Sequence, residues 1–214
     1  MKKEMPTKRT YNSSRRKAQA NQTRMLIVEA ARRLFSERGY SGATIEAIAN
    51  EAGVAVETVY AAFGNKREIL SMLIDISIVG DDKPIPLMDR SGPQSVKIEK
   101  DQQRQIALFA HDIREIMERV APIFEVMRIA SKTEPDIADL LQNILQSRLH
   151  GMSGFITFLN ATAPLQKGLS PSEAAETTWA ITSAELFNLW TKDHHWSADQ
   201  YEQWLSKTLT RLLL

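Results

Sequence analysis

Apolar residues in this chain recur at helical spacing almost from end to end, and nowhere do they alternate with the two-residue period of a half-buried strand. Leu26, Ile27, Ala30, Ala31, Leu34 and Phe35 form the first such stripe, and Gly39 is placed to end it. Ile45, Ile48, Ala49 and Ala52 form the second, with Thr44 as an N-cap and Gly53 just beyond. A third segment runs from Val56 to Phe63 and stops at Gly64. Asn65, with Glu68 three residues on, opens a fourth that reaches about Val79. Gly80 to Ser95, with Pro84, Pro86, Gly92 and Pro93, reads as a long loop. Periodicity resumes at Ile106, Phe109, Ile113, Ile116, Met117 and Val120. Pro122 is expected to start a separate short helix, and Pro135 to stand near the start of a long one. Two last helices carry Trp179 to Trp190 and Tyr201 to Leu213. The predicted fold is all-α with about nine helices: residues 1–20 a disordered basic arm, 21–66 a three-helix unit, and 67–214 a larger helical domain.

Charge is distributed unevenly. The formal net charge of the 214 residues is only +1, yet residues 1–24 hold eight Lys or Arg against the single acid Glu4. A basic end on a mildly acidic body suits a polyanionic partner. No cysteine is present, which excludes disulfides, thiolate metal sites and a cysteine nucleophile. The N-terminus has no apolar h-region, and no apolar run approaches the ~18 residues of a membrane span. The expectation is a soluble, cytoplasmic protein. No GxxxxGK, HExxH or GxSxG occurs, so the reading is not an enzyme. Glu115, Glu118 and Glu125 read as a solvated helix face. His194 and His195 are adjacent, point apart, and make a poor metal pair; they are expected in the loop before the last helix. No metal or cofactor is expected.

Three short helices within residues 21–63, with a tight turn at Gly53, describe a helix-turn-helix. In that motif the second helix braces while the third enters the DNA major groove. Val59 and Phe63 are four apart and suit the core, with Val54 just ahead of them, leaving Glu57, Thr58, Ala61 and Ala62 to face out.

The run Thr44-Ile45-Glu46-Ala47-Ile48-Ala49, followed by Ala52-Gly53-Val54, Thr58-Val59-Tyr60, Phe63 and Lys66 through Leu70, resembles the signature of the TetR family of transcriptional regulators, closely over roughly Thr23 to Leu73. The resemblance implies a homodimeric repressor that binds a palindromic operator and is released by a small molecule. Thr44 and Tyr60 would donate hydroxyl hydrogen bonds to phosphates, and Lys66 would pair with one as a point charge. Arg15, Arg16, Lys17 and Arg24 would follow the backbone or enter the minor groove. Val56 and Ala61 would meet thymine methyls, Thr58 would donate or accept, and Glu57 would accept from cytosine N4. Two departures stand out. Ala55 occupies a position where Ser or Thr commonly caps, and Ala61-Ala62 replace larger polar or aromatic residues. Direct readout is therefore expected to be modest and supplemented by DNA shape.

In the second domain, Leu186, Phe187, Leu189 and Trp190 span an arc wider than one core seam needs. The last helix, with Trp204, Leu205, Leu209, Leu212 and Leu213, is similarly broad. Pairing with a second copy is expected through Leu186, Phe187, Trp190, Trp204, Leu205, Leu209 and Leu212. Phe109, Met117, Phe124, Met127, Phe155, Phe158 and Trp179 suit a cavity for an apolar or amphipathic ligand, with His111 and Arg128 to orient it. The alternatives are a ligand-independent regulator or activator of the same fold, and a helical interaction module without DNA binding.

Overall fold

The computed structural model describes residues 11–214, and every described element is helical. Lys2, Lys3, Lys8 and Arg9, part of the expected basic arm, lie outside these residues. Helix α1 (Tyr11–Gly42) starts earlier than the apolar stripe indicates, so Arg15, Arg16 and Lys17 lie on an exposed helical extension rather than on an irregular arm. It breaks at Gly39, where φ is 68° and only glycine is at ease. Helix α2 (Ile45–Ala52) is capped by Thr44, whose hydroxyl accepts from the Ala47 amide at 3.1 Å. Helix α3 (Val56–Phe63) has Ala55 at its cap position and no side-chain cap bond. Helix α4 (Lys66–Val79) begins at Asn65, which accepts from the Glu68 amide at 2.9 Å.

The rest of the chain forms a helical body around α6 (Gln102–Ala130), which touches α1, α4, α5 (Ser91–Ile98), α7 (Pro135–Thr162), α9 (Ala184–Asn188) and α10 (Ala198–Leu213). Helix α8 (Pro171–Ile181) packs on α7 and α10. The core runs without interruption from Ile27, Phe35 and Ile48 through Leu70 and Ile74 to Ile106, Met127, Leu159 and Tyr201. No described helix is long and apolar enough to cross a membrane.

Three further boundaries differ from those read in the sequence, and the described elements include ten α-helices rather than about nine. Pro122 does not start a helix but sits inside α6. An interior proline costs about 3 kcal/mol, yet its neighbours Ala121 and Ile123 are 0% and 1% exposed, and burial on both sides holds the helix together. The Gly80–Ser95 segment is loop only in part. It contains a 3-10 turn (Leu87–Asp89) and the first turns of α5, where Pro93 is tolerated because first-turn amides need no intrahelical acceptor. Arg90 pins the segment by donating to both Asp81 oxygens, at 2.7 and 3.0 Å. Finally, the Trp179–Trp190 stretch is interrupted. Ser183 caps a new helix by accepting from the Leu186 amide, and α9 then passes into a π-turn (Leu189–Asp193).

Candidate nucleic-acid interface and internal cavity

The α2–α3 corner is built by Gly53, whose φ of 67° is the left-handed conformation that closes a helix. Its amide and that of Val54 cap α2 on the Asn50 and Ala49 carbonyls at 3.1 and 3.0 Å. Beyond it, Val59 and Phe63 anchor α3 in the core, as their spacing indicates. The outward face is Glu57, Tyr60 and Ala61, with Tyr60 50% exposed. Val56, Thr58 and Ala62 are half-buried, so the accessible reading face is narrower than the sequence suggests and Tyr60 dominates it. Thr44 stands exposed at the start of α2 while serving as its cap.

Two cations assigned to phosphates have internal partners. Arg24 projects from α1 to the end of α3, where Nη1 donates to the Ala62 carbonyl at 2.8 Å and the guanidinium lies 4.6 Å from the centre of the Phe63 ring. Its Nη2 meets Met72 Sδ on α4 at 3.5 Å. It therefore braces α1, α3 and α4 together instead of extending as an arm. Lys66 donates to the Tyr40 carbonyl at 2.7 Å and lies 4.1 Å over the Tyr40 ring, closing the break after Gly39. Burial lowers its pKa. Sequence spacing shows neither role, because the partners lie 38 and 26 residues away.

Behind α4 lies a cavity of about 350 Å3 bounded by α4, α6, α7 and α9. A smaller lobe of about 110 Å3 adjoins it under α5, and Leu87, Ile113, Ile116, Gly151 and Met152 line both. Met117 and Phe124 line the larger lobe, and Phe109, Phe155 and Phe158 the smaller, as the sequence suggested. Four expected lining residues are elsewhere. Met127 is fully buried core. Trp179 lies behind the wall, donating to the Leu145 carbonyl at 3.2 Å. His111 sits on the surface against Glu202 at 3.1 Å. Arg128 pairs with Glu185, and it is the glutamate that lines the cavity. The polar residue that sequence reasoning missed is Arg148. Its signal was present: Ile137, Leu141, Ile144, Met152, Phe155 and Leu159 make an apolar stripe on α7, and Arg148 interrupts it at a position in register. At the far end of α4, Arg119 of α6 donates to the Ser77 and Ile78 carbonyls at 2.9 and 3.3 Å, tying the cavity wall to the helix that follows α3.

The pairing residues divide in the same way. Phe187, Leu205 and Leu209 are buried in the chain's own core and cannot meet a partner. Leu186, Trp190 and Trp204 are half-buried, while Leu212 and Leu189 are 38% and 50% exposed. The broad arcs arise because α9 and α10 serve α6 first. Trp190 stacks on Trp196 at 4.0 Å and lies 5.1 Å from Trp204, so the aromatic edge is ordered from within. His194 closes the π-turn and His195 follows at φ 58°, in the loop where they were expected.

Residues 27–73, from α1 to mid-α4, match the family of bacterial regulatory proteins called tetR. Over these residues the chain is similar to TetR-family regulators. Over 61 residues it is 43% identical to the HTH-type transcriptional regulator TtgR of Pseudomonas putida, a similarity spanning 28% of this chain and 29% of that one. Across the whole fold it is similar to the SmeT–triclosan complex, with a TM-score of 0.70 and 20% identity over 90% of this chain and 92% of that one. It is also similar to NalD, the secondary repressor of the MexAB-OprM multidrug efflux pump in Pseudomonas aeruginosa, with a TM-score of 0.68 and 22% identity over 92% of this chain and 98% of that one. The chain thus spans less than a third of the length of the curated relatives it matches, and shares its fold with solved structures over about nine-tenths of its own length.

Proposed function

We propose that the protein is a DNA-binding transcriptional regulator, acting in the cytoplasm as a homodimeric repressor that leaves its operator when a small molecule fills the cavity behind α4. The observation that carries the reading is the juxtaposition of two sites on one lever. The reading helix α3 ends at Phe63, α4 begins three residues later, and Asp75 and Ile78 of that same α4 line the cavity. A ligand that favours one position of α4 then favours one position of α3, and binding at either site alters affinity at the other. Pairing would use Leu189 and Leu212 with the edges of Trp190 and Trp204. It would present two copies of Tyr60 and its neighbours to half-sites about 34–36 Å apart. Arg15, Arg16 and Lys17, exposed on the α1 extension, would supply phosphate contacts. SmeT, seen with triclosan, and NalD, a secondary repressor, support ligand release and repression by their likeness of fold. Fluorescence anisotropy on the DNA upstream of the protein's own gene, at two salt concentrations, tests the reading. Sequence-selective binding by two chains per site, weakened by salt, is expected. Equal affinity for random DNA of the same length would overturn the assignment of α3 as a reading helix at that site.

A further inference from the structure

We propose that the cavity selects an amphipathic organic anion, an aromatic body bearing one carboxylate, sulfonate or phenolate, and that Arg148 receives the charge. The inference rests on the ligand-responsive reading above and names the chemical class of the ligand. Arg148 occupies an apolar register position on α7, where a cation is costly unless something answers it. Desolvation pulls its pKa down to about 10. Its orientation is locked on one side. Nη2 donates to the Trp179 carbonyl and, at 2.7 Å, to Thr182 Oγ1, and the guanidinium lies 5.3 Å from the centre of the Trp179 ring. Among the described residues, neither Nε nor Nη1 meets an acceptor, and Arg148 forms no salt bridge. The neighbouring acid, Glu185, is paired with Arg128, so two guanidinium groups share one carboxylate at this end. Nε and Nη1 are the donors left to engage an acid group with charge-assisted hydrogen bonds.

The remaining walls fit the remainder of such a molecule. Ile113, Ile116, Met117, Val120 and Phe124 line the larger lobe, and the smaller lobe holds Phe109 stacked flat on Phe155, with ring centroids 3.8 Å apart. Gly151 borders both lobes, and the space beside it is open: a Cβ there would meet nothing within 4 Å. The carboxylates set polarity. Asp112 lines the smaller lobe and repels an anion from that end, while of the two acids on the larger lobe Glu185 is neutralised by Arg128 and Asp75 is exposed on the α4 rim. The anionic head is thereby directed to Arg148 and the aromatic body toward the phenylalanines.

Two dyes of one shape test this: 8-anilino-1-naphthalenesulfonate and N-phenyl-1-naphthylamine, which lacks the sulfonate. The unmutated protein should bind the sulfonate roughly tenfold or more tightly, as a charge-assisted pair requires. Arg148→Met should remove that preference and leave the neutral dye within about threefold, with Arg148→Lys between the two. Ile116→Trp, filling the space shared by both lobes, should abolish binding of both dyes. Equal affinities in the unmutated protein, or tighter binding of the neutral dye, would overturn the Arg148 assignment and leave the cavity reading intact. Sulfonate binding that survives Ile116→Trp would place the dye on the surface and overturn it as well. Binding of neither dye would overturn the ligand-responsive reading itself. The comparison in the unmutated protein decides the matter even where Arg148→Met fails to fold.

Discussion

Replacing Arg24 by alanine distinguishes a brace from a phosphate contact. The substitution removes a charged donor from the Ala62 carbonyl at the end of α3, a cation over the Phe63 ring and a contact to Met72. A hydrogen bond from a charged group contributes about 1.5–3 kcal/mol and an exposed cation–π contact about 0.5–1. The partly exposed setting favours the lower end, about 2–3 kcal/mol in all. For a chain of this size that corresponds to a fall in Tm of roughly 5–10 °C. The same protein titrated with operator DNA over a range of salt should keep its slope of log K against log[salt]. Arg16→Ala should do the opposite: Tm unchanged, and a slope smaller by about 0.9 for each phosphate that Arg16 neutralises. An Arg24→Ala protein with wild-type Tm and a reduced slope would refute the brace and restore the arm.

Three further outcomes follow from the geometry. Burial raises Asp112 to about 6, so its charged form is disfavoured in the fold and stability should rise as pH falls from 7 toward 4. Asp112→Asn should then have the higher Tm at pH 8, the difference closing through pH 6 and vanishing near 4; a gap independent of pH would contradict the desolvation argument. Leu189→Glu or Leu212→Glu should convert a dimer to a folded monomer by light scattering, whereas Leu205→Ala should lower stability by about 2–5 kcal/mol through an internal cavity. Dimers that persist with both charges present would move the pairing face elsewhere. Arg119→Ala, releasing α4 from α6, should leave operator and dye affinities within about threefold but weaken the effect of one on the other; coupling of undiminished strength would exclude this tie.

The helix-turn-helix half was legible because its information is local. Gly53 must be left-handed for the corner, Thr44 can cap only the helix it precedes, and Val59 and Phe63 share a face by spacing alone. The internal partners of Arg24 and Lys66 were not legible for the complementary reason: a basic residue near this helix has the same sequence appearance whether or not it also meets a carbonyl dozens of residues away. Pro122 and Pro93 show local preference yielding to position, the first to burial on both sides, the second to a helix start where its missing N–H costs nothing.

What this sequence by itself determined is the helical period, the corner at Gly53, the inward face of α3 and the apolar character of the second domain, all set by interactions within a few residues. Only the tertiary structure decided which apolar residues enclose space rather than fill it. Met127 and Met117 are alike in sequence, yet one is sealed in core and the other faces the cavity. It also decided that Phe187, Leu205 and Leu209 are consumed internally while Leu189 and Leu212 remain outside. The reason is physical: periodicity specifies the side of a helix that avoids water, but the packing of neighbouring helices determines whether that side meets core, cavity or a second chain.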